Sequence, residues 1–418
     1  MPIPFPRDIE FPAFPWDTIE DAKAIAQQHP DGIVDMSIGT PVDETPEVVQ
    51  QALRESSTAA GYPSIIGSEE FSAAVEAWAE ARGAINLFEK GVQAIPTIGS
   101  KEMIAWLAFM LGLNSDDRIL IPECAYPTYE IGARIVGAET IPVGDDPEEW
   151  PDASMVWINS PGNPNGRVLS VDQLRKIVAW ARERGAIVAS DECYAALVWD
   201  PELIETGGVP SILSIDVCDG DCSNLLLLYS LSKQSNMAGY RVGFLMGDKK
   251  LVDSIAELRR HLGMMASTPA LSAMCAGLRN AVDAFEWPGD GITSAPPTWE
   301  ECPYDHGTLV HGVSHVVEQR ARYNARRQQL IEAFDKVGLV NHPDCRAGLY
   351  LWLRDERHGA SGRELLTALA KLGIFVAPGE FYGKGNEDYI RVSLSATDER
   401  VQAACDRLSE VGDSFRAQ

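Results

Sequence analysis

Short runs of aliphatic and β-branched residues alternate along much of the chain with segments whose apolar residues recur every three or four positions. The runs predict strands, and their few polar residues predict burial on both faces. Apolar stripes at helical spacing within 71–78 and 171–181 predict helices that cover a sheet. The predicted strands are residues 92–98, 118–121, 140–143, 155–158, 186–190, 225–229 and 242–246. This alternation is typical of an α/β fold with a mostly parallel sheet, and it predicts a large domain over residues 46–289.

The pattern changes after about residue 290. A loop rich in Pro, Gly and Asp precedes an Arg-rich segment with helical character at 315–336, and alternating strands are predicted at 348–353 and 389–394. A last helix is predicted at 398–411. The first 45 residues carry one helix and a short strand at 33–37, which is too little for a domain of their own. We therefore predict a smaller α+β domain formed by residues 1–45 and 290–418.

Composition and charge restrict the possible partners. The chain has 418 residues, 45% of them hydrophobic, which is enough for two or three packed domains. Acidic residues number 61 against 35 Lys and Arg, and the formal net charge of −26 would repel nucleic acid and anionic membranes. No run of about 18 apolar residues is present to span a bilayer. We expect small-molecule substrates, with no nucleic acid and no membrane as partners.

The N-terminal segment and the cysteines point to a cytoplasmic protein. Residues 1–16 lack the basic start and continuous apolar stretch of a signal peptide. The eight cysteines are scattered, and a reducing compartment would keep them as thiols. Cys302, His306, His311 and His315 have spacing that could bind zinc, but they lie in a Pro- and Gly-rich stretch that fixes no geometry. We predict no metal, and the role of the irregular stretch 281–317 stays open.

Polar residues that could carry chemistry follow the predicted strands, where ligands bind in open parallel sheets. Gly99-Ser100-Lys101 follows the first strand of the large domain and opens an apolar helix. Free N–H groups, a positive dipole end and a hydroxyl suit a phosphate, although Ser100 could equally be an ordinary N-cap.

Three further groups lie after predicted strands. Lys233 stands among the hydroxyls of Ser230-Leu231-Ser232-Lys233, with Arg241 eight residues further on. Positive neighbours and partial burial would lower the pKa of this amine, as a lysine that forms an imine requires. Asp191 ends another strand, where a carboxylate needs a cationic partner such as a protonated pyridine nitrogen. Read separately, Lys233 could be a surface cation, Asp191 a cap, and Asn163 part of a simple turn.

Together, these residues resemble the motifs of class I/II aminotransferases of fold type I, which depend on pyridoxal phosphate. The motifs are Gly99-Ser100-Lys101, Tyr126-Pro127, Asn163-Pro164-Asn165-Gly166, Asp191-Glu192-Cys193-Tyr194, Ser230-Leu231-Ser232-Lys233, Arg241 and Tyr389-Ile390-Arg391. They follow the family's order over nearly the whole chain, and the lysine-to-arginine spacing of eight is among its most specific features. The resemblance implies a large domain with a mostly parallel seven-stranded sheet, a smaller α+β domain, and pyridoxal phosphate as cofactor.

The resemblance also implies a role for each matching residue. Lys233 would form the Schiff base and move the proton between the substrate Cα and the cofactor C4′. Asp191 would pair with the pyridine nitrogen, Tyr194 and Asn163 would bond the 3-oxygen, and Tyr126 would stack on the ring. The residues expected around the phosphate are Ser100, Lys101, Ser230, Ser232 and Arg241.

Substrate binding and assembly are implied in the same way. Arg391 would hold the substrate α-carboxylate with its two terminal nitrogens, and the backbone of Gly39 would close over it. Without the family, Arg391 would be read as a solvent-facing strand residue. Tyr62, in Gly61-Tyr62-Pro63, matches a tyrosine that reaches the phosphate of the neighbouring subunit, which implies a homodimer with shared active sites.

Four segments, at 62–67, 160–164, 190–194 and 229–236, are most similar to actinobacterial N-succinyldiaminopimelate aminotransferases of lysine biosynthesis. That resemblance implies amino transfer from N-succinyl-L,L-2,6-diaminopimelate to 2-oxoglutarate, and the sequence marks no residue for the distal carboxylate. Three alternatives stay open. They are another aminotransferase, for aspartate, aromatic or unsuccinylated diaminopimelate substrates, a C–S β-lyase, and a transcriptional regulator that keeps the fold as a sensor.

Overall fold

The structure is a computed structural model, and it describes residues 11–84, 88–282 and 314–416. The strands are β1 (Val34–Asp35), β2 (Val92–Thr97), β3 (Arg118–Pro122), β4 (Glu139–Val143), β5 (Met155–Asn159), β6 (Ile187–Asp191), β7 (Leu225–Tyr229), β8 (Gly243–Asp248), β9 (Leu339–Asn341), β10 (Tyr350–Asp355), β11 (Ile374–Phe375), β12 (Ala377–Pro378) and β13 (Tyr389–Ser393). The helices are α1 (Glu20–Ala26), α2 (Glu47–Glu55), α3 (Glu69–Glu80), α4 (Ser100–Met110), α5 (Thr128–Val136), α6 (Val171–Arg184), α7 (Pro201–Glu205), α8 (Ile215–Cys218), α9 (Lys249–Leu262), α10 (Thr268–Val282), α11 (His315–Lys336), α12 (Gly362–Lys371) and α13 (Asp398–Val411).

Seven strands form the large sheet, in the order β2-β8-β7-β6-β5-β3-β4. Strand β8 is antiparallel to both of its neighbours, and the other pairs are parallel. Successive residues of one strand enter different apolar cores: Val156 packs on one face of the sheet and Trp157 on the other. This two-sided burial explains the near-continuous apolar runs, and it confirms the predicted α/β class with a mostly parallel sheet.

Helices cover both faces of this sheet, and their ends follow local chemistry. Helix α6 begins with a capping box between Ser170 and Gln173, and Gly185 ends it in the left-handed conformation. Helices α4, α5 and α9 supply apolar residues to one core, and α2, α3, α6 and α10 supply the other. The sheet is thus held rigid between two layers, with the carboxyl ends of its parallel strands left for polar residues.

A second unit contains the four-stranded sheet β12-β13-β10-β9. Strand β1 pairs in parallel with β11, and Val34 shares a core with residues of α11, α12 and α13. The predicted boundaries at 45/46 and 289/290 stay predictions, and residue 289 lies outside the described residues. Within the described ranges, no helix is long and apolar enough to cross a membrane.

Candidate active site

A cavity of about 970 Å³ lies beyond the carboxyl ends of β5, β6 and β7, between the large sheet and β13. Its walls bring together the sequence-predicted residues Gly39, Ser100, Lys101, Tyr126, Asn163, Asp191, Tyr194, Ser230, Ser232, Lys233, Arg241 and Arg391. Tyr62 does not line it, and its side chain is 95% exposed. Residues from positions 39 to 391 thus converge on one space, which is the geometry expected of a binding site.

Asp191 is the last residue of β6 and is buried at the floor of the cavity. Its carboxylate accepts hydrogen bonds from the hydroxyl of Tyr129 at 2.9 Å and from the backbone N–H of Cys193 at 3.2 Å. Burial raises the pKa of Asp191 and these hydrogen bonds oppose that rise. Neither partner is a cation, so this carboxylate fits a protonated ring nitrogen such as that of pyridoxal phosphate.

Lys233 follows β7 and points toward the N-terminal segment. Its ammonium group donates a short hydrogen bond to the backbone carbonyl of Gly39. Burial lowers the pKa of Lys233, and the positive charges of Arg391 and Arg241 lower it further. A lowered pKa increases the neutral fraction of the amine, as imine formation with an aldehyde requires.

Tyr194 and Tyr350 stand beside the lysine, with their hydroxyl oxygens 3.3 Å apart. Burial raises the pKa of Tyr194 well above its ordinary value, and the neighbouring Tyr350 adds to the rise. Burial opposes ionisation of Tyr350 too, but the charges of Arg391 and Lys233 outweigh it, and the pKa of Tyr350 is lowered. The two phenols therefore differ in proton affinity although they share one hydrogen bond.

A cradle suited to phosphate lies at the start of α4. Gly99 is its N-cap at φ 73°, and Ser100 is the first helical residue, so the interpretation of Ser100 as the N-cap was wrong. The positive φ of Gly99 favours glycine, and a Cβ atom there would approach Arg241 Nη2 to 2.6 Å, so the guanidinium would have to move. The hydroxyls of Ser230 and Ser232 are 2.7 Å apart on the same side of the cavity. Helix N–H groups, hydroxyls and a guanidinium together fit a phosphate monoester.

Arg391 lies on β13 and is only 3% exposed. Its Nη1 donates to Asn163 Oδ1 at 2.8 Å and its Nη2 to the carbonyl of Ser37 at 2.6 Å. Its Nε has no partner among the described residues. The guanidinium carbon is 4.0 Å from the ring centre of Tyr350, so amides and an aromatic face surround the charge. The interpretation of Arg391 as a solvent-facing residue was wrong.

Two residues of this arrangement were missed by sequence reasoning. Tyr129 holds Asp191 from α5, and its only sequence signal is that it lies three positions after Tyr126, which precedes that helix. Tyr350 begins β10 and has no spacing relative to any motif, so no signal marked it. Both contacts join residues far apart in sequence, which local patterns do not report.

Of the four possible zinc ligands, only His315 lies within the described residues. Cys302, His306 and His311 lie outside the described residues. His315 has Nε2 2.7 Å from the hydroxyl of Ser235, and Nδ1 faces the side-chain oxygen of Asn280, so both ring nitrogens are engaged. The described ranges contain no group of three or more His, Cys, Asp or Glu side chains that could hold a metal ion.

Comparison with known proteins decides the family. The family model for aminotransferase class I and II matches residues 31–408. The chain belongs to this family. It is therefore a pyridoxal-phosphate-dependent transaminase. The match gives no support to the two alternatives that are not transaminases, a C–S β-lyase and a transcriptional regulator.

Named relatives cover nearly all of this aminotransferase. It is 44% identical, over 95% of its length and 85% of the relative, to a protein of Mycobacterium tuberculosis named probable aminotransferase Rv1178. It is 40% identical, over 96% of its length and 99% of the relative, to the 4-dedimethylamino-4-oxo-anhydrotetracycline transaminase OxyQ of Streptomyces rimosus. Among solved structures, the probable N-succinyldiaminopimelate aminotransferase of Thermus thermophilus is 25% identical with a TM-score of 0.76, covering 95% of this chain and 100% of that one.

Proposed function

We propose that this aminotransferase moves an amino group between N-succinyl-L,L-2,6-diaminopimelate and 2-oxoglutarate in the cytoplasm, as a step of lysine biosynthesis. The observation that carries the proposal is the size of the cavity, about 970 Å³, with a buried arginine at its inner wall. Small-molecule sites range over about 300–1,000 Å³, so this one has room for the cofactor and a long substrate together. The name of the Thermus structure supports the same substrate.

A second cation lines the cavity and suits the distal carboxylate of such a substrate. Arg363, on α12, is 41% exposed and pairs with Glu380 at 2.6 Å. Its Nη1 also donates to the carbonyl of Thr18 at 2.9 Å, which fixes the guanidinium at the cavity wall. We assign this arginine the distal carboxylate, with Arg391 holding the α-carboxylate.

In this proposal each side chain has a task defined by its surroundings. Pyridoxal phosphate, when bound, supplies an electron sink for the pair left when the substrate Cα–H bond breaks. Asp191 would hold a proton on the ring nitrogen of the bound cofactor, because no cation among the described residues pairs with this buried carboxylate. Lys233 would accept the proton from the substrate Cα and would deliver it to C4′ of the cofactor. Arg391 orients the substrate through its α-carboxylate so that the Cα–H bond faces this lysine.

The phosphate is assigned to Ser100, Lys101, Ser230, Ser232 and Arg241, and the 3-oxygen to Tyr194 and Asn163. Tyr126 is assigned to the ring face. These assignments rest on the common cavity and on the donors each side chain presents there. Lys101 is exposed at the rim, so we assign it a weaker contribution than the helix N–H groups.

A second candidate substrate class is favoured by the apolar rim of the cavity. Phe14, Trp16, Ile38 and Phe381 line it, and Phe14 is 54% exposed in the structure. Aromatic amino acids, or oxo compounds with an aromatic body, would bury this surface. The name of the Streptomyces relative, a transaminase for an anhydrotetracycline, supports this alternative.

A half-reaction screen separates these substrates. The yellow holoenzyme is mixed with N-succinyl-diaminopimelate, diaminopimelate, aspartate or phenylalanine, and conversion to the pyridoxamine form is followed by absorbance. We expect fast conversion by the succinylated donor only. The variant Arg363→Gln should raise the KM for N-succinyl-diaminopimelate about tenfold, since one charged hydrogen bond is lost. An inert succinylated donor beside a fast aromatic one contradicts the proposal, and release of pyruvate and ammonia from cystathionine would indicate a β-lyase.

We further propose a homodimer in which Tyr62 reaches the phosphate of the partner's cofactor. Tyr62 is 95% exposed, and Ile66, Trp106 and Phe109 are exposed apolar residues of the same unit. Mixing Tyr62→Ala with Lys233→Ala subunits tests this directly. If Tyr62 acts across the interface, the mixed dimer contains one site with both native side chains, and activity returns. If no activity returns although mixed dimers form, the assignment is wrong.

A further inference from the structure

Helix α11 presents a buried polar stripe to the large domain. His315, Gln319 and Tyr323 recur every four residues, and Arg326 follows three positions later, so all four share one helical face. Each is buried, with exposures from 0% to 6%. A buried polar face is unfavourable unless every group finds a partner, and three of the partners here, Ser235, Asn236 and Asp43, belong to two segments beside the lysine.

The first segment is the lysine loop, defined as residues 233–236. Ser235 Oγ lies 2.7 Å from His315 Nε2. Asn236 donates to Gln319 Oε1 at 3.0 Å and accepts from the hydroxyl of Tyr323 at 3.3 Å. Asn236 also holds a left-handed backbone at φ 51°, which needs support from its surroundings. The polar stripe therefore fixes the residues that directly follow Lys233.

The second segment is the closing segment, defined as residues 38–45. Arg326 donates from Nη1 and Nη2 to the two carboxylate oxygens of Asp43 at 2.8 and 2.7 Å, a bidentate pair. Gln319 Nε2 adds a bond to Asp43 at 3.1 Å. Arg326 Nε binds Asp398 of α13 at 2.6 Å, so the same guanidinium also reaches the last helix. Bidentate pairs of this kind fix geometry as well as charge.

The two segments also touch each other. The Asn236 side chain donates to the carbonyl of Glu44 at 3.1 Å, and Thr45 Oγ1 donates to the carbonyl of Asn236 at 3.1 Å. At the other end of the closing segment, the carbonyl of Gly39 accepts from Lys233. One helix face therefore sets the distance between the reacting lysine and the backbone above it.

We propose that Asp43 and Arg326 are positioning residues for transamination: their ion pair holds the closing segment over the lysine, so that the segment packs against the substrate α-carboxylate held by Arg391. This rests on the proposed roles of Arg391 and Gly39. The pair touches the closing segment and not the lysine itself. Its loss therefore weakens substrate binding more than it slows the proton transfer.

The test compares Asp43→Asn with Asp200→Asn in the holoenzyme. Asp200 pairs with Arg346, and its variant controls for loss of one Asp–Arg ion pair, although these side chains are 23% and 29% exposed against 9% and 3% for Asp43 and Arg326. Hydrogen exchange of the amides of residues 38–45 should accelerate at least about tenfold in Asp43→Asn only, because a buried pair is broken locally. KM for the best amino donor should rise about tenfold with kcat changed less than about threefold. Arg326→Lys, which keeps the charge but not the fork, should give an intermediate KM.

The results of these measurements distinguish a positioning role of the ion pair from a purely structural one. Local acceleration of exchange together with the KM effect supports positioning. Unchanged exchange at 38–45 with a fall in melting temperature like that of Asp200→Asn would show that the pair only stabilises the fold. Faster exchange with an unchanged KM would also overturn the proposal. The exchange measurement needs no substrate, and any accepted donor serves for KM, so a wrong substrate in the proposed function gives a different result from a wrong role for this pair.

Discussion

Tyr129→Phe removes a single hydroxyl group from beneath the proposed cofactor site and leaves the ring in place. The ring stacks on Trp157 with centres 5.0 Å apart, and phenylalanine keeps that contact. The substitution removes the 2.9 Å hydrogen bond to the Asp191 carboxylate, and the backbone N–H and the thiol of Cys193 stay as donors to it. The substitution therefore changes the proton affinity of one buried acid with little change in packing.

The magnitude follows from the charge on the acceptor. A hydrogen bond to an ionised group is worth about 1.5–3 kcal/mol, and 1.36 kcal/mol corresponds to one pKa unit, so the pKa of Asp191 should rise by about 1–2 units. Burial already raises that pKa and Tyr129 opposes the rise, so the substitution acts in the same direction as burial. The ionised carboxylate is then available only at higher pH.

The assay is the affinity of the apoenzyme for pyridoxal phosphate, titrated by absorbance across acidic and neutral pH. We expect the acid limb of the affinity profile to move up by about 1–2 pH units in Tyr129→Phe. Tyr229→Phe is the control, because this buried tyrosine bonds Gln234 and no hydrogen bond within the described residues joins it to Asp191. An unmoved acid limb, or an equal shift in the control, would refute the reasoning that this hydroxyl tunes Asp191.

Three further predictions concern single residues. Lys233→Ala should abolish the visible absorbance of the bound cofactor and slow transamination at least about 10⁴-fold, since nucleophile and base are lost together; a yellow, active variant would exclude the assignment. Arg391→Lys should raise KM about 10²-fold because the fork is lost, whereas Arg354→Lys on the neighbouring strand should not. Burial lowers the pKa of His315 to about 4 from 6.5, so the unfolded chain binds a proton at a higher pH than the folded one. The contribution of His315 to the free energy of unfolding, measured in urea as the difference between the native sequence and His315→Gln, should therefore fall by about 3 kcal/mol from pH 6.5 to pH 4.

Long elements with strong caps were predictable from the sequence, and the two-residue strand β1 fell within the predicted strand 33–37, but strands β11 and β12 were not predicted. Helices α11 and α13 have the predicted bounds, because Ser314 and Thr397 cap their first turns. Strands β11 and β12 have two residues each, which is shorter than any periodic signal. The antiparallel direction of β8 was not predicted either, since a strand buried on both faces has the same pattern in either direction.

The same distinction holds for the candidate site: some of its residues could be predicted from the sequence and others could not. Residues placed directly after a strand could be found, because the chain order and the strand ends alone bring Asp191 and Lys233 to one edge of the sheet. Tyr129 and Tyr350 reach the same space from α5 and β10, and their positions depend on how elements pack. Tyr129 and Asp191 are 62 positions apart in the sequence, and Tyr194 and Tyr350 are 156 positions apart. No sequence motif spans such separations.

The strongest physical argument for an external ligand is that two buried side chains of opposite charge, Asp191 and Arg391, line the same cavity without an ion-pair partner among the described residues. Asp191 meets a phenol and a backbone N–H, and Arg391 meets an amide oxygen, a carbonyl and aromatic faces. Leaving a buried charge without a counter-charge costs several kcal/mol, and the fold could have relieved both by joining them. Both instead face one cavity, and we propose that their counter-charges enter with the ligands. In the proposed function, a protonated pyridine ring and a substrate α-carboxylate would supply that pair of charges.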